Sequence, residues 1–212
     1  MSRTTTVFAA LLAATALTAT TASAAPTQDR PTPEAKAAGI TEPGDARMGW
    51  KERSQQPTAR SSATVAAPAG VPGIDVSNWQ GSVDWTAQWN AGKRFAYVKA
   101  TEGTGYTSPS FAQQYNGSYN VGMIRGSYHF ALPNTSSGST QANYFVDHGG
   151  GWSADGKTLP GVLDVEWNPY GSTCYGLTQS GMRTWINSFL NQYKARTGRY
   201  PVIYTNTNWW NE

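Results

Sequence analysis

Two acids two residues apart in an otherwise apolar run, Asp164 and Glu166 in GVLDVEW, are the residues of this chain best placed to do chemistry. In an extended strand successive side chains alternate, so both acids point to one face, about 6.6 Å apart along the strand. Leu163 and Val165 then face the other way. A third acid, Asp75, stands in a second apolar run, GIDVSNW. An uncompensated carboxylate inside a packed strand costs several kcal/mol, so acids on an inward face require compensation or a wet pocket. Neighbouring acids also push their ionisation apart, one staying charged while the other keeps its proton. Cleavage of a glycosidic bond needs that division: an acid protonates the leaving oxygen while a carboxylate attacks or steadies the sugar cation. The bland alternative is that these acids form internal ion pairs with Lys99 or Arg125.

Further polar residues end other apolar runs. Lys99 and Glu102 close FAYVKATEG, with Tyr106 just beyond; Tyr128 lies in RGSYHFA and Tyr204 in YPVIYT. Rings that are apolar on the flat side and polar at the tip suit the faces of sugars at the mouth of a cleft, although Tyr128 and Tyr204 are equally core residues and Lys99 and Glu102 could be a solvated loop pair. Other chemistries have less support. His129 and His148 are the only histidines and form no H-E-x-x-H, so no metal is expected, and His129 reads as a satisfied histidine beside a strand. No G-x-S-x-G occurs, and Cys174 is the single cysteine, without a convincing histidine partner. No cofactor is expected either.

The elements that must position these groups follow from the pattern after residue 70. Residues 73–79, 95–100, 123–131, 160–167 and 200–205 read as strands, and 109–120, 140–147 and 178–196 as helices. The last helix is the clearest. Met182, Trp185, Ile186, Phe189, Leu190 and Tyr193 recur at three- and four-residue steps before Gly198 and Pro201. Nearly continuous apolar strands alternating with helices predict an α/β chain with a parallel sheet or helix-covered barrel. The first strand is followed by no Gly-rich phosphate loop, which disfavours a nucleotide-binding sheet and favours the barrel. In a barrel the chemistry sits at the carboxyl ends of the strands, where the acids stand.

Composition divides the chain. All 11 Tyr and all but one of the nine Trp lie after residue 70, so the core is C-terminal. The net charge of +3 is shared unevenly, leaving the C-terminal part nearly neutral and without the Lys/Arg stripe of a nucleic-acid binder. Residues 1–24 read as a signal peptide: a basic start, an Ala/Leu-rich run and a small-x-small site at Ala22-Ser23-Ala24. The run is shorter than the about 20 residues that span a bilayer. Residues 25–70, rich in Pro, Ala and Thr without periodicity, are expected to be a disordered pro-segment or linker, and 71–212 a partial catalytic barrel.

The motifs GIDVSNWQG, FAYVKATEGTGY, RGSYHFA, LPGVLDVEW and YPVIYTN, taken in order, resemble those of the lysozymes of glycoside hydrolase family 25. The resemblance runs from Gly73 to Glu212. It implies a TIM-like (β/α)5β3 barrel that cleaves the β-1,4 bond between N-acetylmuramic acid and N-acetylglucosamine, with net retention. The family's acid/base residue falls on Glu166, its companion acids on Asp164 and Asp75, and its sugar-binding groove on Lys99, Glu102, Tyr106, Tyr128 and Tyr204. Ser108 departs from the family's usual Asp or Asn. The family's last three strands and a fourth Asp have no counterpart, so the sequence reads as a fragment, poorly stable and nearly inactive alone. In similar relatives a Cys soon after the W-W-N segment pairs with one like Cys174. The expected protein is secreted, monomeric, not stably membrane-bound, and directed at peptidoglycan glycan strands. A chitinase-like barrel hexosaminidase and a non-catalytic wall-binding module are the alternatives.

Overall fold

The computed structural model describes residues 30–55 and 70–212; the expected signal peptide lies outside the described residues. Two short helices, α1 (Pro33–Ala37) and α2 (Trp50–Gln55), precede the first strand. The elements then alternate: β1 (Gly73–Val76), α3 (Trp85–Asn90), β2 (Phe95–Glu102), β3 (Tyr106–Thr107), α4 (Phe111–Asn120), β4 (Ile124–Phe130), α5 (Gly138–Phe145), β5 (Val162–Asp164), α6 (Gln179–Thr197), β6 (Val202–Tyr204) and α7 (Thr207–Asn211). The strands β1, β2, β4, β5 and β6 are parallel neighbours in that order, and β3 folds back antiparallel on β2. Every step between parallel neighbours passes through a helix, and the sheet curls as half of a TIM-like barrel.

Register brings the chemistry into rows. Lys99 pairs with Tyr128, and Tyr128 with Val162; one step higher, Glu102 pairs with Phe130, Phe130 with Asp164, and Asp164 with Tyr204. Alternation along β5 and the residue after it is as expected. Leu163 and Val165 pack on the helical side with Trp185, Phe189 and Tyr193, whereas Val162 packs inside with Tyr128 and Tyr204. The strand itself is shorter than expected and ends at Asp164, so Glu166 stands just past its carboxyl end.

The expected helices are present; α1 and α2 in the leader and α3 between β1 and β2 were not anticipated. α3 is six residues long, too short for an apolar period, and is announced only by its cap: Asp84 Oδ1 accepts from the Ala87 N–H at 2.9 Å. α6 begins where Thr178 accepts from the Gly181 N–H and ends at Gly198 in the left-handed conformation. Its buried face carries Met182, Trp185, Ile186, Phe189 and Tyr193. α5 lies so close to it that a Cβ on Gly138 would come within 2.2 Å of the Trp185 carbonyl oxygen.

The leader departs from expectation. Residues 30–55 are ordered, and Ala35, Ile40, Ala46 and Trp50 are buried in the main core beside Phe130 and Trp167. The physical reason is that small residues and one tryptophan dock on a surface built elsewhere, which no local periodicity announces. The remainder of the 25–70 segment lies outside the described residues.

His129, behind the row of site residues, is fully buried between Phe145 and Phe189. Its Nδ1 meets Thr101 Oγ1 at 2.8 Å and its Nε2 meets Gln141 Oε1 at 2.9 Å. Burial, with a smaller push from Lys99 and against the Gln141 hydrogen bond, lowers its pKa to about 4. A histidine held neutral in the folded state contributes stability above its unfolded pKa of about 6.5, and that stability is lost as pH falls towards 4. The expected loss across that window is on the order of 3 kcal/mol. Denaturant melts of the parent and of His129→Gln at several pH values check this. The parent should lose more stability than the variant between pH 6.5 and 4, and parallel curves would refute it.

Candidate active site

The strand ends place an acidic pair at the centre of the curled sheet. Asp164 and Glu166 are both fully buried, Asp164 in the β5 row and Glu166 two residues on. Burial raises Asp164 well above the usual carboxylate range, the neighbouring Glu166 raises it further and Asp75 adds a smaller push, while Lys99 opposes. Glu166 Oε1 accepts a hydrogen bond of 2.7 Å from the Gly49 N–H of the leader. Asp75, partly exposed on β1, completes the acidic group.

Beside the acids lies an ion pair. Lys99 and Glu102 are wholly buried and 2.5 Å apart. The rings of Tyr106 and Phe130 lie 5.2 and 5.4 Å from the Lys99 ammonium, which also donates to the carbonyls of Gly44 and Ala46. Glu102 in turn accepts from the Gly44 N–H at 3.0 Å and from the Tyr170 hydroxyl at 2.5 Å. The alternative of Lys99 or Arg125 as the acids' counter-ion therefore fails in its simple form. Lys99 is turned to Glu102, and Arg125 lies over the rings of Tyr115 and Tyr119 and donates to the Lys157 carbonyl.

The predicted tyrosines come to the same place. Tyr128 is buried inside the curl, Tyr204 is partly exposed, and Tyr106 is half-buried above Lys99. Burial, then the charges of Glu166 and Asp164, push the Tyr204 hydroxyl far up, which sets this ring beside the pair. Two tyrosines escaped the sequence reading. Tyr170 binds Glu102, and Tyr175, buried near Glu166 and Asp164, has a positive φ of 58°. Both lie in the irregular stretch after β5, where no period marks an inward face. Among the described residues no three His, Cys, Asp or Glu converge as metal ligands, and no helix is long and apolar enough to cross a membrane. Cys174 is a free, partly exposed thiol at the rim of a hollow of about 430 Å³ lined also by Met182, Ile186 and Trp209; none of the predicted site residues borders it.

The structure thus presents a half-barrel of parallel strands with two buried, interacting acids at its carboxyl ends. The comparisons agree: residues 74–212 match the model of Glycosyl hydrolases family 25, and the chain belongs to that family. It is 55% identical to Lysozyme M1 of Streptomyces globisporus over 174 residues, 80% of this chain and 59% of that protein. It therefore spans about three-fifths of that relative's length. An 80% share cannot fit within residues 74–212, so this likeness runs back into the leader. It is 51% identical to the N,O-diacetylmuramidase of Chalaropsis sp over 143 residues, 66% of this chain and 68% of that one. The bacterial lysozyme structure from Streptomyces coelicolor matches with a TM-score of 0.67 and 59% identity, covering 68% of this chain and 67% of that chain.

The order of causes at Asp164 gives a direct check. Glu166→Gln removes the neighbouring charge, so the Asp164 midpoint should fall, yet remain above that of an exposed aspartate because burial is the larger cause. Carbon-detected NMR titration of the aspartate carboxyls reads this, and an unchanged midpoint would show that the two groups do not interact.

Proposed function

We propose that the protein is a secreted lysozyme that hydrolyses the β-1,4 bond between N-acetylmuramic acid and N-acetylglucosamine in peptidoglycan, with net retention. The observation that carries this reading is the buried Asp164–Glu166 pair, in which burial and the neighbouring Glu166 raise Asp164 so that the pair as a whole keeps a proton. Family membership and the likeness to named lysozymes and muramidases support it. The signal-like residues 1–24 support export.

In this reading the one proton that burial keeps on the Asp164–Glu166 pair belongs to the pair; it is delivered to the glycosidic oxygen from Glu166, leaving both acids ionised, and Glu166 afterwards takes a proton from the attacking water. As the bond stretches, positive charge grows at the anomeric carbon. Asp164 or Asp75 steadies that charge, or the substrate's own acetamido oxygen attacks while Asp164 orients the group. Both routes retain configuration. Lys99, Glu102, Tyr106, Tyr128 and Tyr204 line the approach, with Lys99 and Glu102 supplying a fixed donor and acceptor to amide and hydroxyl groups of the glycan. A neutral polar polymer suits a site whose own charges are already paired.

Loss of the general acid removes about 10² to 10⁴-fold in rate. Compared with an active full-length parent whose leader has been displaced, Glu166→Gln should lose that much lytic activity against a wall suspension; a variant near that parent's rate would take Glu166 out of its role. NMR of the first product from a defined glycan should show the retained anomer, and inversion would overturn both routes. N-acetylmuramic acid at the new reducing end separates this reading from a chitinase-like enzyme, and no turnover even with the leader displaced would favour a binding module.

A further inference from the structure

The leader residues 42–50 cross the carboxyl ends of the strands and touch nearly every group assigned to the site. The Gly49 N–H donates to Glu166 at 2.7 Å, the Gly44 N–H donates to Glu102, and the carbonyls of Gly44 and Ala46 accept from Lys99. The Met48 side chain enters the inside of the curl among Tyr128, Val162 and Tyr204. Tyr170 donates to the Glu42 carbonyl at 3.3 Å, and Arg47 lies 4.2 Å over the ring of Trp79.

Anchors on both sides hold this stretch down. Before it, Thr32 N-caps α1 and donates its N–H to the Pro169 carbonyl, and Ala35 and Ile40 are fully buried. After it, the Trp50 indole is buried and donates to the Trp167 carbonyl at 3.1 Å. The turns fit because Gly44 and Gly49 take φ of 101° and 68°, which side chains rarely adopt.

We propose that residues 30–55 are a built-in occupant of the catalytic cleft, holding the chain inactive until they leave. The proposal rests on the glycosidase reading above only for what the cleft binds. The strap offers Glu102 an amide N–H and Lys99 amide carbonyls, the same donor and acceptor that the acetamido group of a glycan carries. It thus satisfies the buried Lys99–Glu102 pair without an anomeric carbon to attack. A polymer cannot reach Glu166 while Gly49 is seated against it and Met48 fills the curl. That the likeness to Lysozyme M1 extends back before residue 74 shows that the leader is more than arbitrary linker sequence.

The test uses the chain as it stands and needs no turnover. Amide exchange at Gly44 and Gly49 is measured alongside labelling of Glu166 by a water-soluble carbodiimide and an amine, read by mass spectrometry. In the parent both amides should exchange slowly and Glu166 should label slowly. Gly49→Pro deletes the N–H and cannot take φ of 68°; Gly44→Val cannot take φ of 101°, and its Cβ would lie 2.2 Å from the Tyr106 ring. Each should raise Glu166 labelling at least tenfold. Rapid exchange of both amides in the parent, or a parent labelled as fast as the variants, overturns the proposal even if the variants fold poorly. A soluble peptidoglycan tetrasaccharide should protect Glu166 in the variants and not change the parent's slow rate. If the amides are protected and the variants label faster, yet the sugar protects nothing, the strap stands and the glycan assignment fails.

Discussion

Burying two carboxyl groups side by side is the constraint that the rest of this structure serves. Each isolated buried charge costs several kcal/mol, and two like charges together cost more. Asp164 and Glu166 avoid that sum by sharing it out, with one of the pair driven to stay protonated. Such an arrangement survives only if the backbone leaves neither group a way out to water. β5 provides this by lying inside the sheet, flanked by β4 and β6, and by packing Leu163 and Val165 into the aromatic layer of α5 and α6 on its other face. The large apolar face of α6 therefore positions the acids through Leu163 and Val165. Its burial is what makes an unfavourable placement of polar groups tolerable.

The groups around the acids follow the same economy of charge. Lys99 and Glu102 neutralise one another within the low-dielectric interior and are bound further by Tyr170 and by backbone groups. A buried pair of this kind contributes little net stability, while removal of one partner costs about 3–5 kcal/mol. Its value lies in direction: a donor and an acceptor stand fixed beside the acids. His129, one layer behind, is kept neutral by burial and by the charge of Lys99, against the pull of its Gln141 hydrogen bond. The ammonium of Lys99 thus faces no competing imidazolium.

Much of this was legible because strand and helix periods act over short distances. The alternation in GVLDVEW places Asp164 and Glu166 inward, and the three-and-four spacing from Met182 to Tyr193 marks the face of α6. The Tyr128 and Tyr204 side chains follow from the same alternation. Tyr170 and Tyr175 were missed because irregular backbone carries no period, and α3 because six residues are too few to show one. The leader was misjudged for a different reason. Its composition is that of an unfolded chain, poor in large apolar residues, and by itself it cannot offset the conformational entropy of ordering. What orders residues 30–55 is a surface contributed by residues more than a hundred positions away, as the Gly49–Glu166 and Trp50–Trp167 bonds show.

That dependence explains why a segment so poor in hydrophobic side chains fits a site lined by buried polar groups. A cleft that binds sugars must present hydrogen-bonding groups that are fixed and desolvated, and such groups are costly when nothing answers them. Backbone amides and carbonyls are the densest supply of matching partners a protein possesses. Glycine exposes them most fully, and Gly44 and Gly49 stand where the backbone meets Glu102, Lys99 and Glu166. The features that make the leader look structureless, its small residues and glycines, are therefore the ones that let its main chain approach the buried charges. Larger side chains at those turns would hold the backbone away and leave the ion pair without its extra partners.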